Sequence, residues 1–197
     1  MKKFLKVVLS SLGLLFVVFS LGFKGNATTT SVVKDGITYN KVTSQADITD
    51  GNYLIAYETN YMGGFESKYI KQETIESAYI FNIYQEEGNY IIEFDDNGTP
   101  TYVGHNNSKN AAYQTTNKMD SKIKTKWNII YEDAVKIENI GCTSYKYLQY
   151  NTNNPRFACY NGGQKYLDLY KAEIAETPVV AESFIASNTK SSLKVVY

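Results

Sequence analysis

The sequence predicts an all-β protein, and three observations predict it. The chain holds 18 Tyr, with many Ile, Val and Thr, all strand formers. Gly and Asn collect between short apolar bursts, and only three Pro are present, the punctuation of short strands joined by turns. No stretch sustains a helical period. The nearest exception, "SKYIKQETIESAYI" from Ser67, has room for one short helical turn.

The strands recur as phrases. "DGNYLIAYE" from Asp50, "EGNYIIEFD" from Glu87 and "EDAVKIENI" from Glu132 each open on acidic or Gly residues and then alternate toward Ile. A second phrase appears as "YIFNIYQ" from Tyr79, "KWNIIYE" from Lys126 and "YLDLYKA" from Tyr166. Repetition at such spacing marks a repeat architecture.

Each unit reads as four strands. In the third they are Val135–Asn139, Lys146–Tyr150, Arg156–Tyr160 and Lys165–Lys171. In the second they are Asn89–Phe94, Thr101–His105, Ala111–Thr115 and Thr125–Tyr131. Asn97-Gly98 is a strong hairpin turn between the first two of these. The first unit is degenerate, because "YMGGFESK" after "NYLIAYE" is hard to place. Three imperfect four-strand units predict a β-trefoil. "ITYNKVT" at Ile37–Thr43 resembles the second phrase and would make a fourth copy. One copy is then an added terminal strand, or the unit boundaries shift. Alternation puts Leu54, Phe81, Ile92, Trp127, Ile129, Leu148 and Leu167 in the core.

The first 27 residues are of another kind. Lys2 and Lys3 precede a run from Val7 to Phe23 of apolar, Gly and Ser residues only, and Gly25 and Ala27 stand at peptidase positions. This is the pattern of a secretory signal peptide, with a mature chain from Thr28. The run is short for a membrane span of ~20 residues. The expected layout is signal peptide 1–27, linker 28–36, β-domain 37–171, and a linker with a strand-forming tail 172–197. The expected location is secreted, with no membrane association after cleavage. "TKSSLKVVY" reads as the start of a segment belonging to a further domain.

Charge and cysteines narrow the function. Residues 1–27 hold four of the 20 basic side chains and no acid, which leaves 16 basic and 20 acidic, a net of −4. That balance argues against nucleic acid, whose phosphates call for a basic face. Cys142 and Cys159 fall on neighbouring strands and allow either a disulfide, in an oxidising location, or two buried thiols. Their spacing decides neither. No Cys/His cluster suggests a metal, and no cofactor motif appears. A hydrolase needs an acid/base pair or an activated nucleophile. Asp95, Asp96, Glu132, Asp133 and Asp168 fall mostly at turns or strand ends, where Asp serves the backbone. The chain is therefore expected not to be an enzyme.

Binding is better provided for. An aromatic ring can stack on the C–H face of a sugar while amide and charged groups bond its hydroxyls. The loop after Tyr150 offers Asn151, Asn153, Asn154 and Arg156 near Tyr160. The equivalent loop of the second unit offers His105, Asn106 and Asn107 near Tyr113. Any one of these Tyr also fits as an alternate-face strand residue, and the Asn as turn formers. The expected ligand contacts are Tyr150, Asn151, Asn153, Arg156, Tyr160, His105 and Asn107.

"DGNYLIAYE", "KWNIIYEDAVKIEN" and "YLQYNTNNPRFACYNGGQKYLDLYK" resemble modules of exported proteins from low-GC Gram-positive bacteria and Bacteroidetes. Such modules often sit beside nuclease, immunoglobulin-like or adhesion domains. The resemblance spans roughly Thr38 to Lys171, is strongest in the third unit, and is similar to a ricin-type β-trefoil. The Gln-x-Trp signature of ricin-type lectins is absent, since Thr125 and Lys126 precede Trp127. The sugar-binding residues of that family are therefore not carried over. The resemblance implies an exported, non-catalytic binding module for glycans or another cell-surface ligand. The alternative is a structural or protein-interaction module that positions a neighbouring domain.

Overall fold

The computed structural model describes residues 30–173. The expected signal peptide and nearly all of the expected tail lie outside the described residues. In chain order the strands are β1 (Ser31–Lys34), β2 (Ile37–Lys41), β3 (Gly51–Tyr57), β4 (Asn60–Glu66), β5 (Tyr69–Glu73), β6 (Phe81–Glu86) and β7 (Asn89–Asp96). They continue with β8 (Thr99–Gly104), β9 (Tyr113–Thr115), β10 (Lys126–Tyr131), β11 (Val135–Asn139), β12 (Tyr147–Asn151), β13 (Arg156–Tyr160) and β14 (Asp168–Ala172). The one helical element among the described residues is a 3-10 turn, Gln45–Asp47. The all-β expectation holds.

Six strands pair around a closed circuit. β3 pairs with β6, β6 with β7, β7 with β10, and β10 with β11. Backbone bonds between Val135 and Leu167, at 3.1 and 3.3 Å, carry the circuit from β11 to the start of β14, which pairs with β3. Three hairpins hang from this ring: β4–β5, β8–β9 and β12–β13. They also touch one another, through Phe157 opposite Ile70, Cys159 opposite Ala111, and a 2.9 Å bond from the Ala112 amide to the Lys68 carbonyl. β2 lies outside the ring, against β14, with β1 beyond it. The extra terminal strand expected at Ile37 is therefore present. β1, in contrast, forms inside the stretch expected to be linker.

Turn chemistry explains the sharp reversals. Asn97 and Gly98 have φ of 54° and 85°, and Glu87 and Gly88 have 52° and 76°. Two successive left-handed residues are the type I′ requirement, and they match strand twist. The helical turn allowed for near Ser67 does not form a helix; most of that stretch is β5 and a turn.

All seven expected core residues are buried. Leu54 faces a different cluster from the other six. Strand alternation is the reason. Tyr53 and Ile55 point into the main core, while Leu54 and Ala56 pack with Tyr39 and Tyr170 on the opposite face. β3 is thus covered on both sides, by the ring interior and by the added β1–β2 hairpin.

Candidate functional site

The turn between β12 and β13 is built by Asn151. Its Oδ1 accepts from the backbone amides of Asn153, at 3.0 Å, and Asn154, at 3.1 Å. This is the local bond that suits Asn to turns. Asn151 is therefore buried, with its side-chain oxygen committed to forming the turn. The bond presents Asn153 and Asn154 with exposed side chains. Arg156 follows, half-buried, with its guanidinium 5.2 Å from the centre of the Tyr69 ring on β5. The strand pairing of Phe157 with Ile70 sets that approach. Tyr69 titrates above the ordinary tyrosine range: desolvation leads and the Glu66 carboxylate adds to it, while the Arg156 and Lys71 charges oppose both.

Three further expected contacts are buried. Tyr150 is 4% exposed and is a core residue. Its ring stacks on Tyr57 at 5.1 Å and packs against Phe157 at 4.9 Å, and its hydroxyl bonds Gln72. Tyr160 is equally buried, and its hydroxyl is enclosed without a partner. It also lies at the far end of β13 from Arg156, about 13 Å away at the usual strand rise. His105 is wholly buried. Neither ring nitrogen makes a well-aligned hydrogen bond. Burial pushes its pKa below the ordinary histidine range, against a weaker upward pull from the backbone of Ser144 and Ala111.

Asn107 is exposed but is committed to structure. Its Oδ1 accepts from the amides of Thr143, at 2.8 Å, and Ser144, at 2.9 Å, which ties two loops together. Six of the seven expected contacts thus divide between the two ends of β13. Asn151, Asn153 and Arg156 sit at one end; Tyr160, His105 and Asn107 gather at the other. Tyr150 lies in the core. Only Asn153 and Arg156 of the seven keep accessible polar groups without such a structural bond. Tyr69 was not singled out from the sequence. A Tyr just after the turn "SK" was its only signal.

Two concave regions lie elsewhere. One, of about 460 Å³, is lined by residues of β2, the 3-10 turn and β14, including Lys41, Asp47 and Lys171. The other, of about 340 Å³, lies under the segment from Lys118 to Lys126 and includes the exposed Met119 and Ile140. None of the seven expected contacts lines either.

Cys142 and Cys159 are both buried and free. Burial raises both thiol pKa values, and the charge of Cys142 adds to the rise at Cys159. Among the described residues no group of three or more His, Cys, Asp and Glu is placed to hold a metal ion. No described helix is long and apolar enough to cross a membrane.

No family model matches the chain, and no curated protein matches it. Among solved structures, the lysenin pore aligns at 16% identity and a TM-score of 0.44, over 68% of this chain and 48% of the lysenin chain. Lysenin in complex with phosphocholine aligns at 15% identity and a TM-score of 0.43, over 70% of this chain and 47% of that one. The chain therefore spans just under half the length of the lysenin chains it aligns with. Similarity at this level assigns neither a family nor a ligand.

Proposed function

We propose that this protein is an exported, non-catalytic binding module whose ligand is a glycan or another cell-surface molecule. The observation that carries the reading is the shelf made by Arg156 over Tyr69, beside the exposed Asn153 and Asn154. It joins an aromatic ring and the guanidinium over it to amides able to donate and accept, the combination that suits a polyhydroxylated ligand. Loops and turns on a rigid β-scaffold are also where binding residues concentrate. The non-catalytic part draws support from the sole histidine, which is enclosed and held neutral.

The scaffold reading is a β-trefoil. Its support is the ring of six paired strands with three hairpins, taken in chain order as three sets of four from β3 to β14. Export is supported by the composition of residues 1–27, and N-terminal sequencing of secreted protein tests it. A start near Thr28 is the expected result; a retained Met1 removes the reading.

A glycan array probed with the mature protein and with Arg156→Ala tests the function. The mature protein should bind a subset of glycans, and the variant should lose them. A blank array, with a protein partner captured instead, favours the interaction module. That second reading has its own observation: Val33 and Ile37 of the β1–β2 hairpin are 62% and 42% exposed. Apolar side chains at such exposure fit a covering neighbour.

A further inference from the structure

Arg156 is the only arginine of the chain, against 19 lysines. The ion pairs among the described residues all draw their cation from lysine. Arg156 has no carboxylate partner among them. Lys71, its neighbour across Tyr69, is already paired with Glu73 at 3.5 Å. Glu66 lies against Tyr69. Among the described residues the sole guanidinium of the protein therefore has no ion-pair partner, and it stands 5.2 Å from the centre of the Tyr69 ring.

Arginine differs from lysine here in geometry. Its planar fork matches two oxygens of a carboxylate, sulfate or phosphate at once, and stacking on an aromatic face leaves the edge of the fork free. Nε is enclosed without an acceptor. The donors left for a ligand are on the two terminal nitrogens. Asn153 and Asn154 precede Arg156 by three and two residues in the same turn, with exposed side chains that supply amides for hydroxyl groups next to the anion.

We propose that the Arg156–Tyr69 shelf receives an oxyanion carried by a glycan, either a uronate carboxylate or a sulfate ester. The inference rests on the glycan-binding reading above and narrows it to acidic saccharides. It is independent of the mature chain's net charge of −4, because the receptor is one fork and not a basic field.

The test titrates the mature protein with oligogalacturonate, a sulfated heparin-type oligosaccharide and a neutral chito-oligosaccharide. Wild type, Arg156→Gln and Arg156→Lys are compared, with a melting curve for each. At least one acidic oligosaccharide should bind more tightly than the neutral one, and which one it is separates carboxylate from sulfate. Arg156→Gln should weaken acidic binding by about tenfold or more, the range of a hydrogen bond to a charged group. Arg156→Lys should recover only part of it. Acidic binding no tighter than neutral, or undiminished in Arg156→Gln, overturns the inference while leaving the glycan reading in place. No binding to any of the three overturns both. Should Arg156→Gln fail to fold, Arg156→Lys decides: full acidic affinity in a folded variant overturns the fork.

Discussion

The indole Nε1 of Trp127 donates to the carbonyl oxygen of Val103 at 3.0 Å, inside the core and between β10 and β8. One side chain thus joins the ring to a hairpin, by packing and by a directed bond. Trp127→Phe keeps most of the packing but leaves the buried carbonyl unpaired, and should cost about 1–3 kcal/mol. Trp127→Ala should cost about 3–5 kcal/mol. Chemical denaturation measures both. Native Trp emission should be blue-shifted and resistant to aqueous quenchers; a red-shifted, freely quenched signal contradicts the placement.

Alkaline pH should unfold the domain through its tyrosines. Desolvation by burial is the main cause that pushes Tyr53 and Tyr170 up to about 12 from an ordinary value of 10.0. Below pH 10 both the folded and unfolded chains hold these protons. Between 10 and 12 only the unfolded chain releases them, so stability falls as pH rises through that window. Absorbance of phenolate followed against pH should show a late, cooperative step that coincides with loss of tertiary signal. A smooth titration near pH 10 in a folded protein would contradict the burial.

The sign is opposite on the acid side for His105. Its folded pKa is depressed from 6.5, chiefly by burial. Above 6.5 both states are neutral. As pH falls below that value the unfolded chain takes up the proton first, and stability declines. Melting temperature should therefore drop as pH falls below 6.5, and His105→Leu should flatten that part of the profile. An unchanged slope in the variant assigns the effect to other groups.

Cys142 and Cys159 are free in the structure, so reduction should leave the melting temperature unchanged. Their raised pKa values and burial should make native thiol modification slow, and denaturation should release two reactive thiols per chain. A drop in melting temperature on reduction, toward the ~3 kcal/mol expected of a short disulfide loop, would show that the pair is bonded in solution.

The third unit was legible because its local rules agree. Val135–Asn139 and Arg156–Tyr160 form as strands with the boundaries expected of them. The first unit was not, and Gly63 and Gly64 show why. Pairing of β4 with β5 slips between Met62 and Phe65, so alternation breaks there. A Cβ at Gly63 would stand 2.3 Å from Glu73, and one at Gly64 would stand 2.9 Å from the Tyr79 hydroxyl. Those contacts come from chain beyond the strand itself, and no local pattern encodes them.

The candidate site divides the same way. Arg156 was readable as a lone charge at a strand start. Tyr69 was not, because only the pairing of β13 with β5 brings it there. Tyr150 and Tyr160 misled for a related reason. β12 and β13 are buried on both faces after their first residue, so alternation has no solvent side to report.

Closing the ring also limits how copies of this protein can stick together. Every ring strand is paired along at least part of both sides, which shortens the run of free amides and carbonyls open to a second chain. Among the described strands, the sheet ends at β1 and β9, of four and three residues. Edges that short are poor templates for backbone polymerisation. Concentrated, folded protein should therefore resist fibril growth, and seeding should need conditions that open the ring first.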